Sequence, residues 1–356
     1  MPINPADFIS GITNPYLPLT PGQTLVYETP DGSEVVRFQV TRDTRVVAGV
    51  TCIVVHDQSF VDGVIHENTF DYFAQDTAGN VWYFGEDVQN LENGQVINTN
   101  GSWLAGVNGA SPGIVMQANP TVGQTYNQEN APGIAQDMGE IVKTDAAIDV
   151  PYGSGGNAVQ VHEFTPLDPT NSEYKSYIAG VGQMLAVSLK TGDAEHLVRI
   201  EFDGTAGNDT IAGKFGVDLL RGLAGSDTLQ GLGGDDTLIG GMAQDFLTGG
   251  AGSDTFDFNF INETGKSAAT RDVITDFARG LDHVDLKTID ANTHKSGNQV
   301  FHFIGQQGFH HQEGELRYKV TASGVVAQGD VNGDGHADFS IQLDGLTALS
   351  KGDFIL

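Results

Sequence analysis

Between residues 204 and 257 the chain repeats itself every nine residues, and no other feature restricts its fold as tightly. Six aspartates, Asp209, Asp218, Asp227, Asp236, Asp245 and Asp254, recur at that spacing without a gap. Two places after each stands an apolar residue: Ile211, Leu220, Leu229, Leu238, Leu247 and Phe256. Glycine opens every unit, at Gly204, Gly213, Gly222, Gly231, Gly240 and Gly249. It also fills the fourth place at Gly207, Gly216, Gly225, Gly234 and Gly252, where the fifth unit has Ala243. At the second place, Thr205, Lys214, Leu223 and Leu232 replace glycine in the first four units. A flexible linker of Gly and Asp has no reason to keep acid and apolar residues in one phase. Glycines at fixed places allow tight turns with unusual backbone angles, and the piece around each apolar residue reads as a very short strand facing inward.

The unit resembles the G-G-x-G-x-D-x-U-x nonapeptide of the repeats-in-toxin parallel β-roll. In such a roll two units make one coil, so each aspartate stacks on the aspartate two units later. Stacked carboxylates repel unless a cation lies between them. Calcium suits that gap because it takes six to eight oxygen ligands in flexible geometry, and backbone carbonyls complete the shell; magnesium demands a tighter cage. Several Ca²⁺ ions are therefore expected at the glycines and aspartates named above. Without them the array has thin apolar strands and a line of like charge, too little core to order itself.

The stretch after the array reads Arg271-Asp272-Val-Ile-Thr-Asp276-Phe277-Ala-Arg-Gly280-Leu-Asp282, then Gly314-Glu315-Leu-Arg-Tyr318, and closes on Asp353, Phe354, Ile355 and Leu356. From about residue 203 to 356 this is similar to the C-terminal domain of the serralysin family of secreted metalloproteases. The resemblance implies a calcium β-roll with flanking strands, a further calcium held with the help of Asp272 and Asp276, and a C-terminus read by the type I secretion machinery. It implies an extracellular protein exported by a bacterium without an N-terminal signal peptide, and Met1 to Asp7 indeed carries no basic region followed by an apolar stretch. Asp330, Asn332, Asp334 and Gly335 follow the start of an EF-type loop, yet Ile341 occupies the place of the bidentate glutamate. An Asp-rich turn between strands is the commoner meaning. Proteolysis is not implied: neither His66-Glu67 nor His162-Glu163 is followed by the second histidine of H-E-x-x-H.

Composition agrees. Forty-six acidic against 17 basic residues give a net charge of −29, which disfavours nucleic acid and favours divalent cations. The lone cysteine, Cys52, excludes an intrachain disulfide and sits in an apolar run that reads as core. No apolar run is long enough for a transmembrane helix.

The first 200 residues have a different grammar. Short alternating runs (34–40, 51–55, 69–73, 81–84, 159–164, 174–178, 183–189, 197–202) are separated by Gly, Pro, Asn and Asp. The fold class expected is all-β: an antiparallel β sandwich or barrel over 1–200, then a parallel β-roll with flanking strands over 201–356. The one helical segment expected is Pro5 to Ile9. Through Asp71 to Asp76, Gly79 to Glu86 and Tyr177 to Gly182 this half resembles secreted or lipoprotein-like bacterial β domains with no assigned chemistry.

Four residues there are candidates for a site. Alternation puts Asp71 and Gln75 on one face, Glu86 with Trp82 and Phe84 on one face, and Lys175 with Tyr177 on another. Carboxylates among aromatics suit a sugar- or hydroxyl-binding cleft or an acid–base pair; the plainer reading is solvent-facing strand positions. Two functions stay open: a β domain that binds an extracellular ligand or polysaccharide, or a secreted hydrolase or lyase carried on the roll. A cleft of convergent buried carboxylates would favour the enzyme, a filled core the binder.

Overall fold

Long runs of alternating apolar and polar residues let the strands Glu34–Val47, Val50–Val61, Val64–Asp76 and Val81–Glu92 pair successively as an antiparallel meander. The computed structural model describes residues 3–356 and contains no α-helix among them. The expected N-terminal helix is only a 3-10 turn, Pro5–Asp7, because Phe8–Ile9 extends and pairs with Gln75 and Asp76 instead. Two compact units are present, residues 1–200 and 201–356.

In the first unit the meander continues through Ser111–Met116, and a second run follows: Met138–Val150, Gly153–Thr165, Asp168–Ile178 and Gly182–Ser188. Glu129–Asn130 pairs with Ser111 and Pro112, and Thr125–Asn127 pairs with Met138 to Glu140, which joins the two runs. The sheet curls until it is nearly barrel-shaped. Val40, Val55, Phe84, Met116, Ile141 and Val161 are fully buried. Cys52 is buried among them, and burial pushes its thiol up to about 12, so it stays protonated and inert.

In the second unit the nine-residue period becomes two parallel ladders. Thr210–Ala212, Thr228–Gly233, Phe246–Ala251 and Val273–Ile274 form one; Asp218–Arg221, Thr237–Ile239, Thr255–Asp257, His283–Asp285 and Phe354–Ile355 form the other. Successive units alternate between ladders, so two nonapeptides make one coil. Leu220, Leu229, Leu238, Leu247 and Phe256 are fully buried. The flanking strands also form: Phe339–Asp344 extends the first ladder and pairs with Gly324–Asp330, which pairs with Glu315–Val320.

Candidate functional site

The barrel carries an open cavity of about 470 Å³. Asp71, Glu86, Lys175 and Tyr177 all line it, together with Asp57, Glu67, Glu129, Asp137, Glu163, Glu173 and Glu195. Nine carboxylates thus face one lysine. Strand pairing explains the convergence: Asp71 lies opposite Glu86, Ser59 opposite Glu67, and Glu163 opposite Glu173. The solvent-facing reading fails, because Asp71 and Tyr177 are each only 6% exposed.

One expected face is corrected. Glu86 does not share the side of Trp82 and Phe84; it enters the cavity with Tyr83. The register slips by one residue between the Asp71–Glu86 and Phe73–Tyr83 pairs. At that bulge Gly85 takes φ 128°, and a Cβ there would overlap the Trp103 carbonyl. Gln75 does not line the cavity either; its side-chain oxygen accepts from the Thr13 and Asn14 amides at 2.7 and 2.8 Å.

Inside, Tyr83 donates to Asp71 Oδ1 at 2.5 Å, and the Tyr83 ring stacks on Phe73. Lys175 Nζ bridges Glu163 at 2.8 Å and Glu173 at 3.1 Å, and Gln128 donates to Glu163 at 2.7 Å. Burial, opposed by the Tyr83 hydrogen bond, still pushes the Asp71 carboxyl up to about 7. Burial and then neighbouring carboxylates push Glu129 to about 8 and Glu86 to about 9. Burial alone would lower Lys175, but Glu163 and Glu173 outweigh it and hold it charged.

In the roll, the amides of Asp209, Asp218, Asp227 and Asp236 donate to Oδ1 of Asp227, Asp236, Asp245 and Asp254, each eighteen residues on, at 2.8–3.0 Å. The ladder continues from Asp245 to Asp272 and from Asp254 to Asp282, over 27 and 28 residues. Asp282 was missed by sequence reasoning because the strict period stops before it. The other oxygen, Oδ2, is buried without a partner in Asp227, Asp236, Asp245, Asp254 and Asp272. Burial, with neighbouring aspartates adding to it, pushes Asp236 up to about 8 and Asp272 to about 9.

The units are not equivalent. In the first two, the free oxygen is taken: the Thr205 amide and hydroxyl donate to Asp209 Oδ2 at 2.6 and 2.9 Å, and the Lys214 amide donates to Asp218 Oδ2. From the third unit on, the second-place residue has positive φ: Leu223 76°, Leu232 77°, Gly241 94° and Gly250 103°. There the local amide makes no such bond to the carboxylate, which stays open. Asp276 differs again, since both its oxygens accept from the Gly249 and Gly250 amides at 2.9 Å. Asp330 likewise accepts from the Gly333 and Gly335 amides, an Asx-type turn between two strands.

The family model described as Peptidase M10 serralysin C terminal matches residues 176–356. The chain belongs to this family. The match to the serralysin C-terminal family takes in the whole second unit and the last strands of the first, and leaves residues 1–175 outside it. No curated protein matches the chain. Among solved structures, the AlgE6R2 subunit of the Azotobacter vinelandii mannuronan C5-epimerase is 25% identical over 43% of this chain and 91% of that one, with a TM-score of 0.32. The AlgE6R3 subunit of the same enzyme is 24% identical over 43% of this chain and 80% of that one, also at 0.32. A Bacteroides fragilis protein described as exported, with a YmcC-like fold, is 13% identical over 53% of this chain and 99% of that one, again at 0.32.

The donor set of this serralysin C-terminal roll fits a calcium ion. A Cβ placed on Gly222 or Gly231 would overlap both the Asp Oδ2 of its own unit and the carbonyl of a glycine eighteen residues on, Gly240 or Gly249. Carboxylate and carbonyl oxygens therefore point at the same space, as oxygen-only coordination requires. No three His, Cys, Asp or Glu side chains are placed to hold a metal ion among the described residues, so backbone carbonyls must supply most of any shell.

Proposed function

We propose that the protein works outside the cell, with calcium folding the second unit and the barrel holding an extracellular ligand. The observation that carries the calcium reading is the row of buried, unpartnered Oδ2 atoms from Asp227 to Asp272. An orphaned buried carboxylate oxygen is costly, and a cation beside each one removes that cost. In this reading the low calcium of the cytosol keeps the array unfolded for export, and extracellular calcium folds it. Type I export is read from the serralysin resemblance of Asp353 to Leu356.

The test is a calcium titration of the EDTA-treated full chain, followed by far-ultraviolet circular dichroism and calorimetry. Gain of β signal with saturable heat, absent with magnesium, is expected; a spectrum unmoved by millimolar calcium overturns the reading. Deletion of residues 353–356 is expected to abolish export from cells carrying a type I channel, and undiminished export removes that part alone.

A second reading, a secreted enzyme, is favoured by the facing Asp71 and Glu86 carboxylates in an open cavity. Turnover on a panel of polysaccharides and small polar substrates that is lost in both Asp71→Asn and Glu86→Gln decides for it. Binding without turnover decides for the first.

A further inference from the structure

We infer that the barrel cavity takes a linear aliphatic amine carrying two or more positive charges, such as a polyamine. This names the ligand class of the cavity and rests on the reading that the barrel receives a ligand there, bound or turned over.

Charge comes first. Lys175 is already neutralised by Glu163 and Glu173, so Asp57, Glu67, Asp71, Glu86 and Glu129 are left facing the cavity without a cation. A cationic centre beside these carboxyls lets groups that burial keeps protonated ionise, a gain that neither an anion nor a neutral sugar supplies. Spacing comes next. These carboxylates are strung along the Val50–Val61, Val64–Asp76 and Val81–Glu92 strands and Glu129, and no three of them are placed to hold one metal ion. Such a row suits several cationic centres separated by spacers.

The Tyr177 hydroxyl is the independent sign of a missing ligand. The side chain is more than nine-tenths buried, lines the cavity, and has no hydrogen-bond partner among the described residues. An ammonium N–H would fill that acceptor. Between the polar groups, Leu25, Val36, Phe38 and Val115 supply apolar wall for methylene spacers, and the Phe73–Tyr83 stack offers ring faces to a cation. The volume falls within the usual range for small-molecule sites.

The test is calorimetric titration of the full chain, folded in calcium, with spermidine as probe, in two buffers of different ionisation enthalpy. Saturable binding near one per chain is expected, with protons released as the ligand replaces those that burial keeps on Asp71 and Glu86. Affinity should fall at least tenfold in Asp71→Asn/Glu86→Gln and in Glu86→Gln alone to a lesser degree, while an exposed control, Asp31→Asn, leaves it unchanged. Binding that is equal in wild type and both cavity variants places the amine on the acidic surface and overturns the inference. So does absence of saturable heat at millimolar spermidine. Magnesium or extra calcium binding with the same variant dependence overturns it in favour of a metal ion. If spermidine fails and an oligosaccharide binds, the amine assignment falls and the ligand-binding barrel survives.

Discussion

The amide of Asp227 donates to Oδ1 of Asp245 at 2.8 Å, and the second carboxylate oxygen of Asp245 is buried with no partner. One oxygen of the side chain serves the backbone of the preceding coil and the other is left for a cation. Asp245→Asn preserves the acceptor and removes the charge. It is expected to weaken calcium affinity about tenfold, or ~1.4 kcal/mol, whereas Asp276→Asn, whose oxygens are held by two amides, changes it less than about threefold. Calcium calorimetry on the two variants checks the contrast; equal losses would show that the open oxygen is not what matters.

Ala243 sits at φ 93°, where an L residue is strained and glycine is not. Ala243→Gly is expected to stabilise the calcium-loaded roll by about 1 kcal/mol. Gly222→Ala should do the opposite, since its Cβ would overlap the Asp227 carboxylate. Thermal melts in excess calcium read both, and a destabilising Ala243→Gly would contradict the backbone argument.

The cavity carboxylates make the first unit sensitive to alkali. Asp71, Glu129 and Glu86 rise to about 7, 8 and 9 in the fold, against roughly 3.9 and 4.3 for unfolded Asp and Glu. The folded state therefore holds protons that the unfolded chain releases. The stability they confer is full below pH ~4 and is lost as pH rises through about 7 to 9. In EDTA, the remaining melting transition should drop by several degrees between pH 6 and pH 9, at roughly 2–4 °C per kcal/mol. Asp71→Asn/Glu86→Gln should flatten that slope. A transition that climbs over this range refutes the assignment.

Lys175 bridges Glu163 and Glu173 with a side chain 27% exposed. Lys175→Met leaves two carboxylates facing each other across paired strands and should cost roughly 1–3 kcal/mol. Adding Glu163→Gln should recover part of it. Urea denaturation of the four proteins of this cycle measures the coupling, and an additive cycle means the bridge contributes nothing.

Much of the roll is legible from its letters because one residue type recurs at one spacing: aspartates nine apart must stack eighteen apart when two units make a coil. Asp282 escaped because the period lapses after Asp254, although its Oδ1 accepts the Asp254 amide as any earlier rung would. The strands of the barrel are also legible, through alternation. Its interior is not. A charged residue alternating with apolar ones ordinarily faces water, and only the curling of the sheet turns Asp71 and Lys175 inward. Glu86 enters the cavity rather than the face of Trp82 and Phe84 because a single bulge at Gly85 reverses the phase, and nothing in the alternation of Trp82 to Glu86 announces it.

The first two nonapeptides close their own carboxylates through the Thr205 and Lys214 amides. Asp209 and Asp218 are thus satisfied by their own turns, whereas Asp227, Asp236, Asp245, Asp254 and Asp272 each keep an oxygen that only a cation can satisfy, so the ion load of the roll falls on its middle and C-terminal coils.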